Sequence, residues 1–140
     1  MMRGALQRTI LRYLAAYGPT EADRVLAARL QSDRARTSAY AMDHIRFAIS
    51  QRPTLKKTFS DWLTRVEMVQ FGEAQDPVLW EALAVIFGGG VKQMDEGMVT
   101  VKRLQRDWIR EYVRYTKAAG IDRSEKLIPP MKMMLDLSAE

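Results

Sequence analysis

Apolar residues recur along this chain at three- and four-residue steps, the spacing of one face of an α-helix. Leu6, Ile10, Leu11, Leu14 and Tyr17 mark a first helix. Gly18-Pro19 should end it, the glycine taking a left-handed cap and the proline refusing a further helical hydrogen bond. Thr20 followed by Asp23 reads as an N-cap with a carboxylate three residues on, and Val25, Leu26 and Leu30 give a second helix its buried side. Gln31-Ser32-Asp33 reads as a polar turn and a new cap. It opens a third helix over 34–50 with Tyr40, Ala41, Ile45, Ala48 and Ile49 at its apolar positions.

The middle of the chain carries a mixed signal. Residues 52–59 read as a loop, and Ser60-Asp61 would cap a helix through Trp62, Val66 and Val69. Val66 to Phe71 also suits a strand, so a short hairpin near 54–71 is the competing expectation. Asp76 and Pro77 then open a helix through Phe87 that is apolar almost all round, the mark of a core or interface helix; Gly88 to Gly90 stop it. The longest amphipathic segment runs from about 98 to 119, with Met98, Val101, Leu104, Trp108, Tyr112 and Tyr115 along one stripe. Pro129-Pro130 leads into a Met-rich tail that should dock on the bundle. These elements predict an all-α fold, a compact bundle of about six helices forming one domain over 1–140. Its parts are a basic three-helix stretch (1–57), an acidic connector with the apolar helix (58–97), and the long amphipathic helix with its tail (98–140).

Composition narrows the chemistry. The 140 residues are 47% hydrophobic and 28% charged, ordinary for a folded domain. With no cysteine there is no disulfide framework, thiolate metal site or cysteine nucleophile, and a single histidine, His44, rules out a multi-histidine site. His44 and Asp43 are adjacent and so point about 100° apart on a helix, which prevents them acting as a pair. Gly88-Gly89-Gly90 with Lys92 lacks the spacing of a phosphate-binding P-loop, and no nucleophile elbow or zinc-protease motif occurs. The sequence therefore points to a non-enzyme without cofactor or metal. Arg3, Arg8 and Arg12 break up the N-terminal apolar residues, and the longest apolar stretch, 78–87, falls short of the ~20 residues needed to span a bilayer. A cytoplasmic protein without membrane contact is expected.

Charge is unevenly distributed. Residues 1–57 carry eleven Lys+Arg against four acids, a balance of +7; residues 58–97 stand at −5, and the long helix at +4, within a total of +5. Lys102, Arg106, Arg110 and Arg114 recur at four-residue steps and form one slowly turning ridge, with local acids at Asp107 and Glu111. The second and third predicted helices, joined by 31–33, have the size of a helix-turn-helix unit. Arg34, Arg36, Thr37, Ser38 and Tyr40 would stand at the exposed start of its second helix, Arg46 lies further along, and Arg52, Lys56 and Lys57 form a basic loop behind it. Over residues 20–49 the pattern resembles a helix-turn-helix loosely, because Gln31 stands where the turn usually has glycine and Ser32 where an apolar anchor is usual. The expected partner is DNA or RNA, met mainly at the phosphate backbone, by a regulator of that type or a small helical subunit of a nucleoprotein complex. The competing expectation is a helical adaptor or inhibitor of phage or plasmid type. Its apolar 78–87 helix and arginine-rich surface would meet a protein partner or a second copy of the chain.

Overall fold

A computed structural model describes residues 1–137. They form six α-helices and one short 3-10 turn, with no strand among the described residues. The helices are α1 (Met2–Tyr17), α2 (Glu21–Gln51), α3 (Leu55–Glu73), α4 (Pro77–Gly88), α5 (Met94–Ala118) and α6 (Pro129–Leu137). An all-α bundle of six helices is thus the fold, and its caps follow the local sequence. The Thr20 hydroxyl accepts the amide of Asp23 at the start of α2, and the Asp76 carboxylate accepts the amide of Val78 with Pro77 in the first turn of α4.

Three expectations are corrected. First, Gln31-Ser32-Asp33 is no turn. It lies inside α2, so the helix-turn-helix-like unit does not exist. None of the three residues is glycine or proline, and each costs only a few tenths of a kcal/mol in a helix, roughly. The inward line Ala27, Gln31, Ala35, Ser38, Met42, Ile45 and Ile49 also runs unbroken through the segment at helical spacing. Second, residues 54–71 hold no hairpin. Helix α3 begins at Leu55, so the loop expected over 52–59 shrinks to 52–54 and no cap forms at Ser60-Asp61; it buries Leu63, Glu67 and Phe71 at successive four-residue steps, and the helical period outweighs the β-branched residues. Third, Gly18 ends α1 with φ −58°, not a left-handed cap. Glycine is needed there for space, since a Cβ would stand 2.5 Å from the Leu14 carbonyl oxygen.

The centre of the molecule is α5 rather than the apolar α4. Helix α5 buries Val101, Leu104, Trp108, Ile109, Tyr112 and Tyr115, the stripe its sequence displays, and begins at Met94, four residues earlier than the pattern suggests. Helix α4 buries Trp80, Leu83 and Ala84 and leaves Val78 and Leu79 exposed. It lies backbone-close to α5 because Gly97 has no side chain to hold it off: a Cβ there would sit 1.8 Å from the Ala84 carbonyl oxygen. Helix α1 crosses α5 with Met2, Ala5, Thr9 and Tyr13 inward, and the Trp108 indole N–H donates to the Met2 carbonyl at 3.0 Å. The tail helix α6 lays Met131 fully into the core, while Met133 stays exposed. Helix α2, the longest element, buries only Ala27.

Candidate functional site

The basic side chains singled out by sequence divide into three groups in space. On α2, Arg34 and Arg36 are two residues apart and so point about 200° away from each other, and they present no common face. Arg36 bonds its own Asp33 at 3.0 Å and Arg46 its own Asp43 at 2.8 Å. Thr37 returns its hydroxyl to the Asp33 carbonyl, Ser38 is half-buried beside Gly4, and the exposed Tyr40 ring lies against His44, 4.3 Å between centroids. No recognition surface is assembled there.

On α5 the ridge is partly tied down by the fold. Glu111 lies between Arg114 of the ridge and Arg8 of α1 (2.7 Å to Arg8), and Asp107 lies between Arg110 at 3.3 Å and Arg12 of α1 at 3.5 Å. The Tyr13 hydroxyl also donates to Asp107. Burial, then that bond, push the tyrosine's pKa up to about 12. The two acids therefore serve as α1–α5 ties, with ridge arginines on their outer side. Lys102 is exposed and Arg106 half-buried on the same helix.

The third group does come together. Arg52 caps the end of α2, and Lys56 and Lys57 follow in the first turn of α3. That turn faces the segment between α5 and α6 across a cleft of about 530 Å³, where Lys56, Lys57, Thr64 and Asp61 meet Asp122 and Lys126. Two lysines in the first turn of a helix stand at the end where the backbone dipole is already positive, so this corner concentrates positive potential. The pKa of Asp122 is lowered first by hydrogen bonds from Ser124, whose amide donates to the carboxylate at 2.9 Å, and to a lesser degree by Lys117 and Lys56.

The floor of the cleft is Arg123, which is 1% exposed. Its guanidinium grips Glu67 in a two-pronged pair at 2.7 and 3.0 Å. The remaining donors reach the Ser60 hydroxyl at 2.9 Å and carbonyl at 3.1 Å, the Thr64 hydroxyl at 2.9 Å and the Lys126 carbonyl at 2.9 Å. Glu67 also accepts the Tyr112 hydroxyl and the Ile128 amide. Burial and the bond to Glu67 raise the Tyr112 pKa far above its ordinary value, so the hydroxyl stays protonated as a donor. All guanidinium N–H groups are engaged. Arg123 is therefore a latch that fixes the 119–128 segment against α3, positioning Lys126 opposite Lys56 and Lys57. Sequence reasoning missed this latch. Its one trace, the acid Glu67 at the four-residue step between Leu63 and Phe71, lies off the apolar line expected through Trp62, Val66 and Val69.

Among the described residues no group of three His, Cys, Asp or Glu side chains is placed to hold a metal ion, and no helix is long and apolar enough to cross a membrane. No protein-family model matches the chain, and neither a curated protein nor a solved structure matches it. The functional reading rests on this chain's own geometry.

Proposed function

We propose that the protein binds nucleic acid through its phosphate backbone at the lysine-ringed end of the bundle, with no recognition helix in a groove. The observation that carries this reading is the grouping of Lys56, Lys57 and Lys126 around one cleft, none of them in an ion pair among the described residues. Arg52 and Lys117 extend the same corner, and the Arg123 latch keeps its two walls at fixed separation. Lysine ammonium groups held this way neutralise phosphates as point charges and release counterions, a mechanism indifferent to base sequence. No bond is made or broken in it. A second reading has its own support: Trp62 and Val69 lie on the outer side of α3 with Met68 beside them, all exposed, as an apolar surface suited to a protein partner.

The test is fluorescence anisotropy with labelled duplex DNA and single-stranded RNA at about 50 and 200 mM salt, where counterion release acts strongly. The wild-type chain is compared with Lys56→Ala/Lys57→Ala/Lys126→Ala and with Arg34→Ala/Arg36→Ala. The lysine variant should lose at least about tenfold in affinity, and its salt slope should fall by about 2–3, at ~0.7–0.9 per phosphate contact. The α2 arginine variant should bind as the wild type does. Absence of binding at low salt, or equal loss in both variants, overturns the reading and moves attention to the Trp62 surface.

A further inference from the structure

Ser60, in the lysine-ringed cleft, carries a hydroxyl proton with no acceptor among the described residues. Its hydroxyl oxygen accepts from the buried Arg123 guanidinium at 2.9 Å, and its carbonyl accepts from the same guanidinium nitrogen at 3.1 Å. Thr64, one turn on, also accepts from Arg123 but returns its own proton to the Ser60 carbonyl at 3.3 Å. A hydroxyl whose oxygen is bonded to a fixed cation is a stronger donor, because hydrogen bonds in a chain polarise one another. Lys56, Ser60 and Thr64 follow at four-residue steps and so share the side of α3 that lines the cleft. Lys57 stands beside them, and Lys126 lines the opposite wall. Asp61 and Asp122 line the cleft too, so it is not basic throughout. A groove that tracks a nucleic-acid backbone is positively charged along its length, whereas a strand laid through this one would set its phosphates against two carboxylates.

Building on the nucleic-acid reading above, we infer that the cleft takes the end of a strand, holding a terminal phosphate as a phosphomonoester. Ser60 donates to one of its oxygens, and Lys56, Lys57 and Lys126 neutralise it. A phosphodiester within a chain is flanked by sugar on both sides and carries a single charge, whereas a terminal phosphate presents three free oxygens and a charge of about −1.5 to −2 at neutral pH. The end group therefore matches a site where several ammonium groups and a hydroxyl line one cleft, and it enters without dragging further phosphates past Asp61 and Asp122. Arg52 and Lys117, on the outer side of the same corner, meet the phosphates that follow. Arg123 does not touch the ligand. Its donors are taken by Glu67, Ser60, Thr64 and the Lys126 carbonyl, and it holds the Ser60 hydroxyl in place.

The test is fluorescence anisotropy at about 150 mM salt with short single-stranded RNAs that differ only in carrying a phosphate or a hydroxyl at one end, the label being at the other. One pair varies the 5′ end and one the 3′ end. In at least one pair the phosphorylated strand should bind at least about tenfold more tightly, the scale of a hydrogen bond to a charged group. Ser60→Ala should erase that preference and leave the affinity for the hydroxyl strand unchanged, whereas a merely structural role would weaken both strands alike. A nucleoside monophosphate should displace the phosphorylated strand from the wild-type chain while the nucleoside does not, a readout that needs no variant. Equal binding of phosphorylated and hydroxyl strands, or an equal loss of both in Ser60→Ala, would overturn the end-binding site and leave the backbone reading standing. A mononucleotide that binds at least as tightly as the strand would keep the phosphate site and overturn the strand as its source. No binding of strand or mononucleotide at about 50 mM salt would overturn both readings.

Discussion

At the scale of single residues, the most consequential group is a charge in the interior. Arg123 and Glu67 are 1% and 0% exposed, and each satisfies the other in a two-pronged pair. Removing one member of such a pair leaves the partner buried and charged, which costs far more than the intact pair contributes. Glu67→Gln should lower the unfolding free energy by about 3–5 kcal/mol, read from urea denaturation followed by circular dichroism. A loss below about 1 kcal/mol would mean that the guanidinium is satisfied without a carboxylate. Glu67 was not legible as an inward acid, because the apolar line expected there ran through Trp62, Val66 and Val69, whereas Leu63, Glu67 and Phe71 are the buried positions. Nor was its partner, because Arg123 lies 56 residues away in an irregular segment where no period marks an inward position.

At the scale of elements, close approach of backbones decides more than hydrophobicity does. The sequence presents α4 as the most apolar helix, yet α5 occupies the centre, because α5 concentrates its large apolar residues on one broad stripe. The two helices meet where Gly97 faces Ala84 and Gly88, with a hypothetical Cβ 1.8 Å from one backbone oxygen and 2.8 Å from the Gly88 nitrogen. No side-chain rotation relieves a clash with backbone, so Gly97→Ala should separate the pair and cost about 3 kcal/mol or more. Gly89→Ala is the control. Its φ of +86° makes alanine strained but nothing lies within 4 Å, so the cost should be about 1–2 kcal/mol by the same urea measurement. Equal losses would show that α4 and α5 do not depend on that contact. Among the elements, the segment 31–33 misled with the largest consequence, since it created a helix-turn-helix that does not exist. Ser and Asp favour turns and caps but cost little inside a helix, and the continuous inward line outweighs that local preference.

At the scale of the whole molecule, one core joins α1, α3, α4, α5 and α6 through residues as far apart in sequence as Met2 and Met131. Trp80 and Trp108, 6.3 Å apart, report on its centre. Unfolding followed by tryptophan fluorescence and by far-ultraviolet circular dichroism should therefore give coincident transitions, and separate midpoints would show that part of the bundle melts alone. By itself the sequence determined the all-helical class, the caps at Thr20 and Asp76, the buried stripe of α5 and the excess of positive charge. Each is a matter of spacing or local hydrogen bonding within a few residues. That Arg8 and Arg12 of α1 also reach Glu111 and Asp107, which lysines share a cleft, and which side of α2 is left uncovered were decided only by tertiary structure. The physical reason is that a helix period says which residues share a face, but not which face another element will cover. Charges from distant segments become neighbours only once the helices have packed.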